Sequence, residues 1–127
     1  MPNSECTVIL AGGEVRNIDG GIVGEATLDF VKQFRLDFGI LGISGIDLDG
    51  SLLDFDYHEV RVKKVIIENS RSVFLAVDHS KFGRNAMVKL GNISQLHMLF
   101  TDKQPPKEIC SILDEHSIPL QVTSKQN

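Results

Sequence analysis

The chain has 127 residues, of which 42% are hydrophobic and 24% charged, a composition typical of one globular domain. Its net charge of −4 argues against tight binding of nucleic acid by this chain alone, because such binding needs clustered lysines and arginines. No apolar run approaches the roughly 18 residues of a membrane span. The N-terminus has no basic segment followed by a long apolar one, so we expect a cytoplasmic protein without a membrane partner.

Apolar runs alternate with amphipathic segments along the chain, and this alternation predicts strands and helices in turn. The almost wholly apolar residues 36–43 predict a strand that is buried on both faces, as in a parallel sheet. The predicted elements are a strand at 7–11, a helix at 25–34, the strand at 36–43, a tight turn at Asp49-Gly50, a helix at 56–69, a strand at 72–77, a short edge strand at 85–90, a strand at 96–101, a helix at 107–116 and a last short strand at 119–122.

This order of elements predicts an α/β fold with a mostly parallel sheet flanked by helices. In such sheets ligands bind outside the carboxyl ends of the strands, so the polar residues directly after each strand are the candidates for a site. These candidates lie in residues 12–13, 44–47, 78–81 and 101–102.

The cysteines and histidines of the sequence do not predict a metal centre. Cys6 and Cys110 are far apart and belong to no C-x-x-C pair, so we expect two free thiols, with one disulfide between them as the alternative. The four histidines lack the spacing typical of zinc ligands, and no cofactor motif is expected.

Lys81 is the strongest candidate for a ligand contact. It ends the string Asp78-His-Ser-Lys81 directly after the strand at 72–77, where its ammonium is well placed for a phosphate oxygen or a hydroxyl. An equally simple alternative is a turn in which Asp78 caps backbone N–H groups and Lys81 is solvated.

Gly39, Gly42 and Gly45 resemble a dinucleotide-binding fingerprint in their spacing only. A turn rather than a helix follows them, however, so we do not expect that motif. We expect instead that Gly42 and Gly45 keep Cβ atoms away from the floor of a pocket.

Acidic side chains crowd the start of the helix at 56–69. The helix dipole stabilises such carboxylates without any catalytic role, although Glu59 could also accept hydrogen bonds from a polyol. Asp56 precedes Glu59 by three residues and predicts an N-cap, and Glu59 predicts an i,i+4 ion pair with Lys63. The basic run that contains Lys63 and Lys64 is most simply a solvated helix face.

Five strings taken together carry a resemblance to a known family. They are VILAGG at 8–13, DGGIVGE at 19–25, FRLDFGILGISGID at 34–47, DYHEV at 56–60 and DHSKFGRNA at 78–86. In this order they resemble the effector-sensing domain of DeoR-type bacterial transcriptional repressors, over nearly the whole chain. The resemblance implies a sensor for glycerol-3-phosphate or a similar sugar phosphate, with no cofactor and no catalytic residue.

Proteins of that family are about twice as long as this chain. They begin with a winged helix-turn-helix that binds operator DNA, followed by the first half of the sensor domain with its Gly/Thr-rich phosphate loop. The resemblance therefore implies that residues 1–127 are the C-terminal part of the sensor domain, with the DNA-binding domain absent. It also implies a homo-oligomer and an effector pocket that lacks one wall.

The sensor fold of the family is similar to that of ribose-5-phosphate isomerases, which end a strand with a DxSK string like residues 78–81. The isomerases carry an acidic pair where residues 43–47 are largely apolar here, and a catalytic Glu near the position of Lys63. We therefore expect this chain to bind its effector without converting it. The alternative is an isomerase-like enzyme, and a third possibility is a segment that only self-associates. The resemblance implies effector contacts at Lys81, Glu59, Asp47, Gly42, Ser44, Gly45 and Asp78.

Overall fold

A computed structural model describes residues 5–16 and 21–123 of the chain. Short 3₁₀ turns occur at His79–Lys81 and Ile93–Gln95. The strands and helices are, in chain order, β1 (Glu14–Val15), β2 (Ile22–Val23), α1 (Glu25–Val31), β3 (Leu36–Leu41), β4 (Gly45–Ile46), β5 (Ser51–Asp54), α2 (Tyr57–Glu68), β6 (Ser70–Ala76), β7 (Val88–Asn92), β8 (Met98–Thr101), α3 (Lys107–Glu115) and β9 (Leu120–Val122).

Four parallel strands in the order β3-β6-β8-β9 form the main sheet, which confirms the predicted α/β class. A smaller antiparallel sheet has the order β4-β5-β7, and β1 pairs with β2 in a hairpin. The main and the smaller sheet meet where Ile46 of β4 forms an isolated bridge with Phe82, six residues after the end of β6.

The hydrophobic core lies between one face of the main sheet and the helices α2 and α3. Leu75 of β6, Leu99 of β8 and Ile109 of α3 are completely buried and belong to one cluster, which Val60 of α2 joins. Each side chain of this size stabilises the fold by about 1.5–3 kcal/mol when it leaves water. The carboxyl ends of β3, β6 and β8 are therefore held at fixed positions along one edge of the sheet.

Helix α2 begins where the sequence predicts. The Asp56 carboxylate caps it by accepting hydrogen bonds from the backbone N–H groups of His58 at 2.7 Å and Glu59 at 3.2 Å. The helix ends at Glu68, with Asn69 as its C-cap. The predicted helix at 107–116 and the strands predicted at 72–77, 85–90, 96–101 and 119–122 correspond to α3, β6, β7, β8 and β9.

Two strand predictions are wrong. Residues 7–11 form no strand, and Val8 and Leu10 are exposed, because β-type composition gives a strand only where a partner supplies the ladder of hydrogen bonds. Residues 36–43 form the shorter β3, whose Phe38 and Ile40 are 61% and 72% exposed. This strand is therefore buried on one face, and it is an edge strand among the described residues.

The predicted turn at Asp49-Gly50 is confirmed as the tip of the β4–β5 hairpin. Gly50 has a φ of +88°, which side-chain-bearing residues rarely adopt, and a Cβ there would lie 2.9 Å from Asn92 Oδ1. The strands on either side of this turn were not predicted, because β4 has two residues and β5 has four.

The described residues, 5–16 and 21–123, include both cysteines of the chain. Cys6 and Cys110 are both free. In this part of the chain no three His, Cys, Asp or Glu side chains are grouped so that they could hold a metal ion. No helix here is both long and apolar enough to cross a bilayer.

Candidate functional site

A cluster of charged and polar side chains surrounds the residue at which the chain leaves β3. The ammonium of Lys63, on α2, donates to the carbonyl oxygen of Gly42 at 2.9 Å and to Asp54 Oδ2 at 2.8 Å. It also lies 2.9 Å from Glu59 Oε1, which confirms the predicted i,i+4 ion pair. The hydroxyl of Ser44 donates to Asp54 Oδ1 at 2.7 Å, so both oxygens of that carboxylate are bonded.

Lys63 and Asp54 form a buried pair, with 13% and 4% of their side chains exposed. The prediction that Lys63 belongs to a solvated face is therefore wrong, whereas its neighbour Lys64 is exposed. The helical period explains the difference, because Lys63 follows the buried Val60 by three residues and lies on the same face of α2. This periodicity is the signal that could have indicated an inward-facing lysine.

The environment of Asp54 favours its ionised form. Burial raises the pKa of this carboxyl, but the hydrogen bonds from Lys63 and Ser44 together with the charge of Lys63 outweigh burial, so the pKa lies below its ordinary value. Asp54 is therefore a fixed negative charge that holds the Lys63 ammonium against the end of β3.

Glu59 is held from two sides. Besides the contact with Lys63, its second oxygen accepts a hydrogen bond from Arg16, which follows β1. The guanidinium of Arg16 also lies 3.2 Å from Asp56 Oδ2. Each carboxylate oxygen has two lone pairs, so Glu59 keeps acceptor capacity for a ligand hydroxyl besides these two contacts.

Lys81 lies in the 3₁₀ turn that follows β6. Its ammonium is 3.6 Å from Asp78 Oδ2, and 27% of its side chain is exposed. Asp78 caps this turn, because its carboxylate accepts hydrogen bonds from the backbone N–H at 2.8 Å and from the hydroxyl of Ser80. These hydrogen bonds lower the pKa of Asp78. Asp78 thus has the turn-capping role of the alternative interpretation, while Lys81 keeps a partly accessible charge.

The loop after β6 is attached to β4. The backbone N–H of Gly83 donates to the carbonyl oxygen of Ile46 at 2.7 Å. A Cβ at Gly45 would collide with the carbonyl oxygen of Arg84, so this glycine permits a close approach to backbone rather than to a pocket. Gly42 has more room, because a Cβ there would meet no atom nearer than the Ala76 carbonyl oxygen at 4.0 Å.

Asp47 stabilises the turn of the β4–β5 hairpin. Its carboxylate accepts the backbone N–H of Leu48 at 2.8 Å, and its carbonyl oxygen accepts the N–H of Gly50 at 2.9 Å. The contacts described for Asp47 join it neither to Lys63 nor to Lys81.

A cavity of about 360 Å³ opens at the carboxyl ends of β6, β8 and β9. Asp78, Thr101, Asp102 and Thr123 are its polar lining residues, and Lys81 is not among the residues that line it. His79 joins two of the loops at this edge, because its Nδ1 lies 2.9 Å from Asp102 Oδ2 and its backbone N–H donates to Asp102 Oδ1 at 2.7 Å. The contact with His79 lowers the pKa of Asp102.

The structure thus brings the predicted site residues together in two groups. Gly42, Ser44 and Glu59 share the Lys63–Asp54 pair, and Gly45 adjoins the loop that holds Asp78 and Lys81. The sequence did not single out Arg16 or the contact between His79 and Asp102. No local spacing indicates these contacts, because their partners lie 43 and 23 residues apart.

Comparisons with known proteins relate the chain to bacterial regulators. The chain is 64% identical over 122 residues to the glycerol-3-phosphate regulon repressor of Escherichia coli (strain K12); the alignment covers 96% of this chain and 48% of that protein. It is 56% identical over 118 residues to the repressor of the same name from Haemophilus influenzae, and this alignment covers 93% of this chain and 46% of that protein. It is also 35% identical over 118 residues to the HTH-type transcriptional repressor CsqR of Escherichia coli, with 93% of this chain and 45% of that protein covered.

The chain therefore spans about half the length of the curated relatives that it matches. These three relatives are transcriptional repressors, not enzymes. A family described as the DeoR C terminal sensor domain matches residues 1–103, which confirms the resemblance found from the five strings. The chain belongs to the family of DeoR C-terminal sensor domains.

Proposed function

We propose that this chain is the effector-binding part of a transcriptional repressor and that its inducer is glycerol-3-phosphate or a similar sugar phosphate. The observation that carries the proposal is the 64% identity, over 96% of the chain, to a repressor of the glycerol-3-phosphate regulon. The winged helix-turn-helix that would bind operator DNA lies outside residues 1–127, and the repressor would act as a homo-oligomer in the cytoplasm.

The effector would bind at the edge where the strands of the main sheet end. Lys81 is the proposed partner of the phosphate, because 27% of its side chain is exposed and it has one carboxylate neighbour, Asp78, whereas Lys63 is 13% exposed and lies between Asp54 and Glu59. The proposed contacts with hydroxyl groups and the floor of the site are Glu59, Asp47, Ser44, Asp78, Gly42 and Gly45.

Binding rather than catalysis is supported at the position near which the similar isomerases carry a catalytic Glu. Lys63 lies there and donates to Asp54 and to the Gly42 carbonyl, so it offers a substrate no carboxylate base. Induction then requires only that the effector bind more tightly to the state with weak operator affinity, a difference typically of about 1–3 kcal/mol.

Titration calorimetry tests the proposal on this chain and on a chimeric repressor, in which this chain replaces the matching segment of the Escherichia coli relative. We expect glycerol-3-phosphate to bind the chimeric repressor. Lys81→Ala should weaken binding by roughly tenfold or more, because a hydrogen bond from a charged donor is lost. Lys64→Ala, which removes an exposed lysine from α2, should leave the affinity unchanged.

Other outcomes of these measurements have distinct meanings. Binding to the chimeric repressor but not to this chain would show that the remaining half of the sensor supplies essential contacts. Unchanged affinity in Lys81→Ala would contradict the assigned phosphate contact. Turnover of pentose or hexose phosphates, lost in Lys81→Ala, would favour the isomerase-like enzyme.

A further inference from the structure

The two faces of the main sheet differ sharply. Leu75 and Leu99 point into the core and are completely buried between the sheet and the helices α2 and α3. On the opposite face, Phe38 is 61% exposed and Ile40, which is the register partner of Phe74, is 72% exposed. One face of the sheet is therefore packed against helices, and the β3 side of the other face is open.

The open face carries a continuous row of aromatic rings. The ring centroids of Phe38 and Phe74 are 5.3 Å apart, and those of Phe74 and Phe100 are 6.0 Å apart, so the row crosses β3, β6 and β8. Aromatic rings bury large areas and strongly favour contact with other apolar groups over contact with water. We call the surface formed by Phe38, Ile40, Phe74 and Phe100 the aromatic face.

The topology explains why Phe38 and Ile40 are exposed in the described part of the chain, whereas Phe74 and Phe100, farther from the edge of the sheet, are half-buried. The helices α2 and α3 connect β3 to β6 and β8 to β9, and both contribute to the core on the packed face. All-parallel sheets are almost always covered by helices on both faces. In residues 5–16 and 21–123 no strand pairs with the outer edge of β3 either. The aromatic face therefore lacks the helical layer that its architecture requires.

The relatives contain enough additional chain to supply that layer. The Escherichia coli relative matches 96% of this chain with only 48% of its own length, so its unmatched half is about as long as this chain. We propose that the aromatic face binds an amphipathic helix from the unmatched half of a DeoR-type repressor, with the apolar side of that helix seated on Phe38, Ile40 and Phe74.

Thiol reactivity tests the contact directly. In a background with Cys6→Ser and Cys110→Ser, Ile40→Cys places a thiol on the aromatic face and Met87→Cys places a control thiol at a residue that is 88% exposed, just before β7. We expect the Ile40→Cys thiol to react with maleimide roughly tenfold or more slowly in the chimeric repressor than in this chain alone, because a buried thiol is protected. The Met87→Cys thiol should react equally fast in both.

A second variant tests whether the protection comes from a docked helix rather than from a change in the sheet itself. Ile40→Glu in the chimeric repressor should restore fast reaction of a Phe38→Cys thiol, because a charged side chain expels the helix. Equal reactivity of Ile40→Cys in this chain and in the chimeric repressor would overturn the proposal. A rate that falls with increasing concentration of this chain alone would also overturn it, because a second copy would then be the occupant.

Discussion

Lys63 receives its contacts from three separate parts of the chain. Asp54 belongs to β5, Gly42 follows β3, and Glu59 lies one turn earlier on α2. A buried ammonium is stable only while its partners compensate for the lost hydration, and removal of one member leaves an unpaired charge in the interior. This one side chain therefore links α2 to β5 and to the end of β3, in addition to the apolar packing of Val60 in the core.

Replacement of Lys63 by methionine tests that link. Lys63→Met keeps most of the apolar stem but leaves the buried Asp54 without a cation, so we expect the free energy of unfolding to fall by about 3 kcal/mol. Urea denaturation near neutral pH measures the change. The control Lys64→Met, at an exposed neighbour, should change stability by less than about 0.5 kcal/mol. Equal losses in the two variants would contradict the assigned role.

The ionisation of Asp54 makes the stability of the fold depend on pH. Because the pKa of Asp54 is lowered in the folded protein, the unfolded chain binds more protons at this carboxyl when the medium is acidic. Its stabilising effect is complete above the ordinary carboxyl pKa of about 4 and is lost as the pH falls below it.

Asp54→Asn isolates this contribution. We expect the difference in unfolding free energy between the wild type and Asp54→Asn to be largest near neutral pH and to shrink between about pH 4 and pH 2. Denaturant melts over this range measure it. A difference that does not depend on pH would show that Asp54 stabilises the fold by its shape alone.

Helix α2 depends on its first residues as well as on Lys63. The Asp56 carboxylate accepts two backbone N–H groups that the helix itself cannot satisfy. Asp56→Ala should therefore lower the free energy of unfolding by about 1 kcal/mol, measured by urea denaturation. Asp56→Ser retains a capping oxygen and loses the contact with Arg16, so a loss as large as that of alanine would assign the effect to the ion pair.

The elements that the sequence predicted correctly have signals within a few residues. Helix α2 has its cap at Asp56, and α3 follows the paired prolines Pro105 and Pro106. The incorrect predictions concern pairing between distant residues. Residues 7–11 have β-type composition without a partner strand, and the burial of β3 depends on what covers each of its faces.

The candidate site was predictable to the same extent. The end of β3 and the end of β6 were indicated by the alternation of apolar runs, so Ser44, Asp78 and Lys81 could be singled out. The spacing from Val60 could have indicated that Lys63 faces inward, but its partners could not be derived, because Asp54 is nine residues away and the Gly42 carbonyl is 21 residues away.

At the scale of the whole molecule, the charge balance predicts behaviour toward DNA. The net charge of −4 repels phosphate groups, and tight binding requires the release of counterions by clustered cations. We expect this chain alone not to retard operator DNA in a gel at physiological salt, whereas the chimeric repressor should retard it. Retardation by this chain alone would mean that a local basic surface dominates over the net charge.

The hydrogen bond between Gly83 and Ile46 has a consequence for the loop that follows β6. It fixes this loop to β4, and the Ile46–Phe82 bridge holds the same segment one residue earlier. Because β4 pairs with β5 and β5 pairs with β7, the loop that carries Lys81 can be displaced only if this bond breaks or the small sheet moves with it.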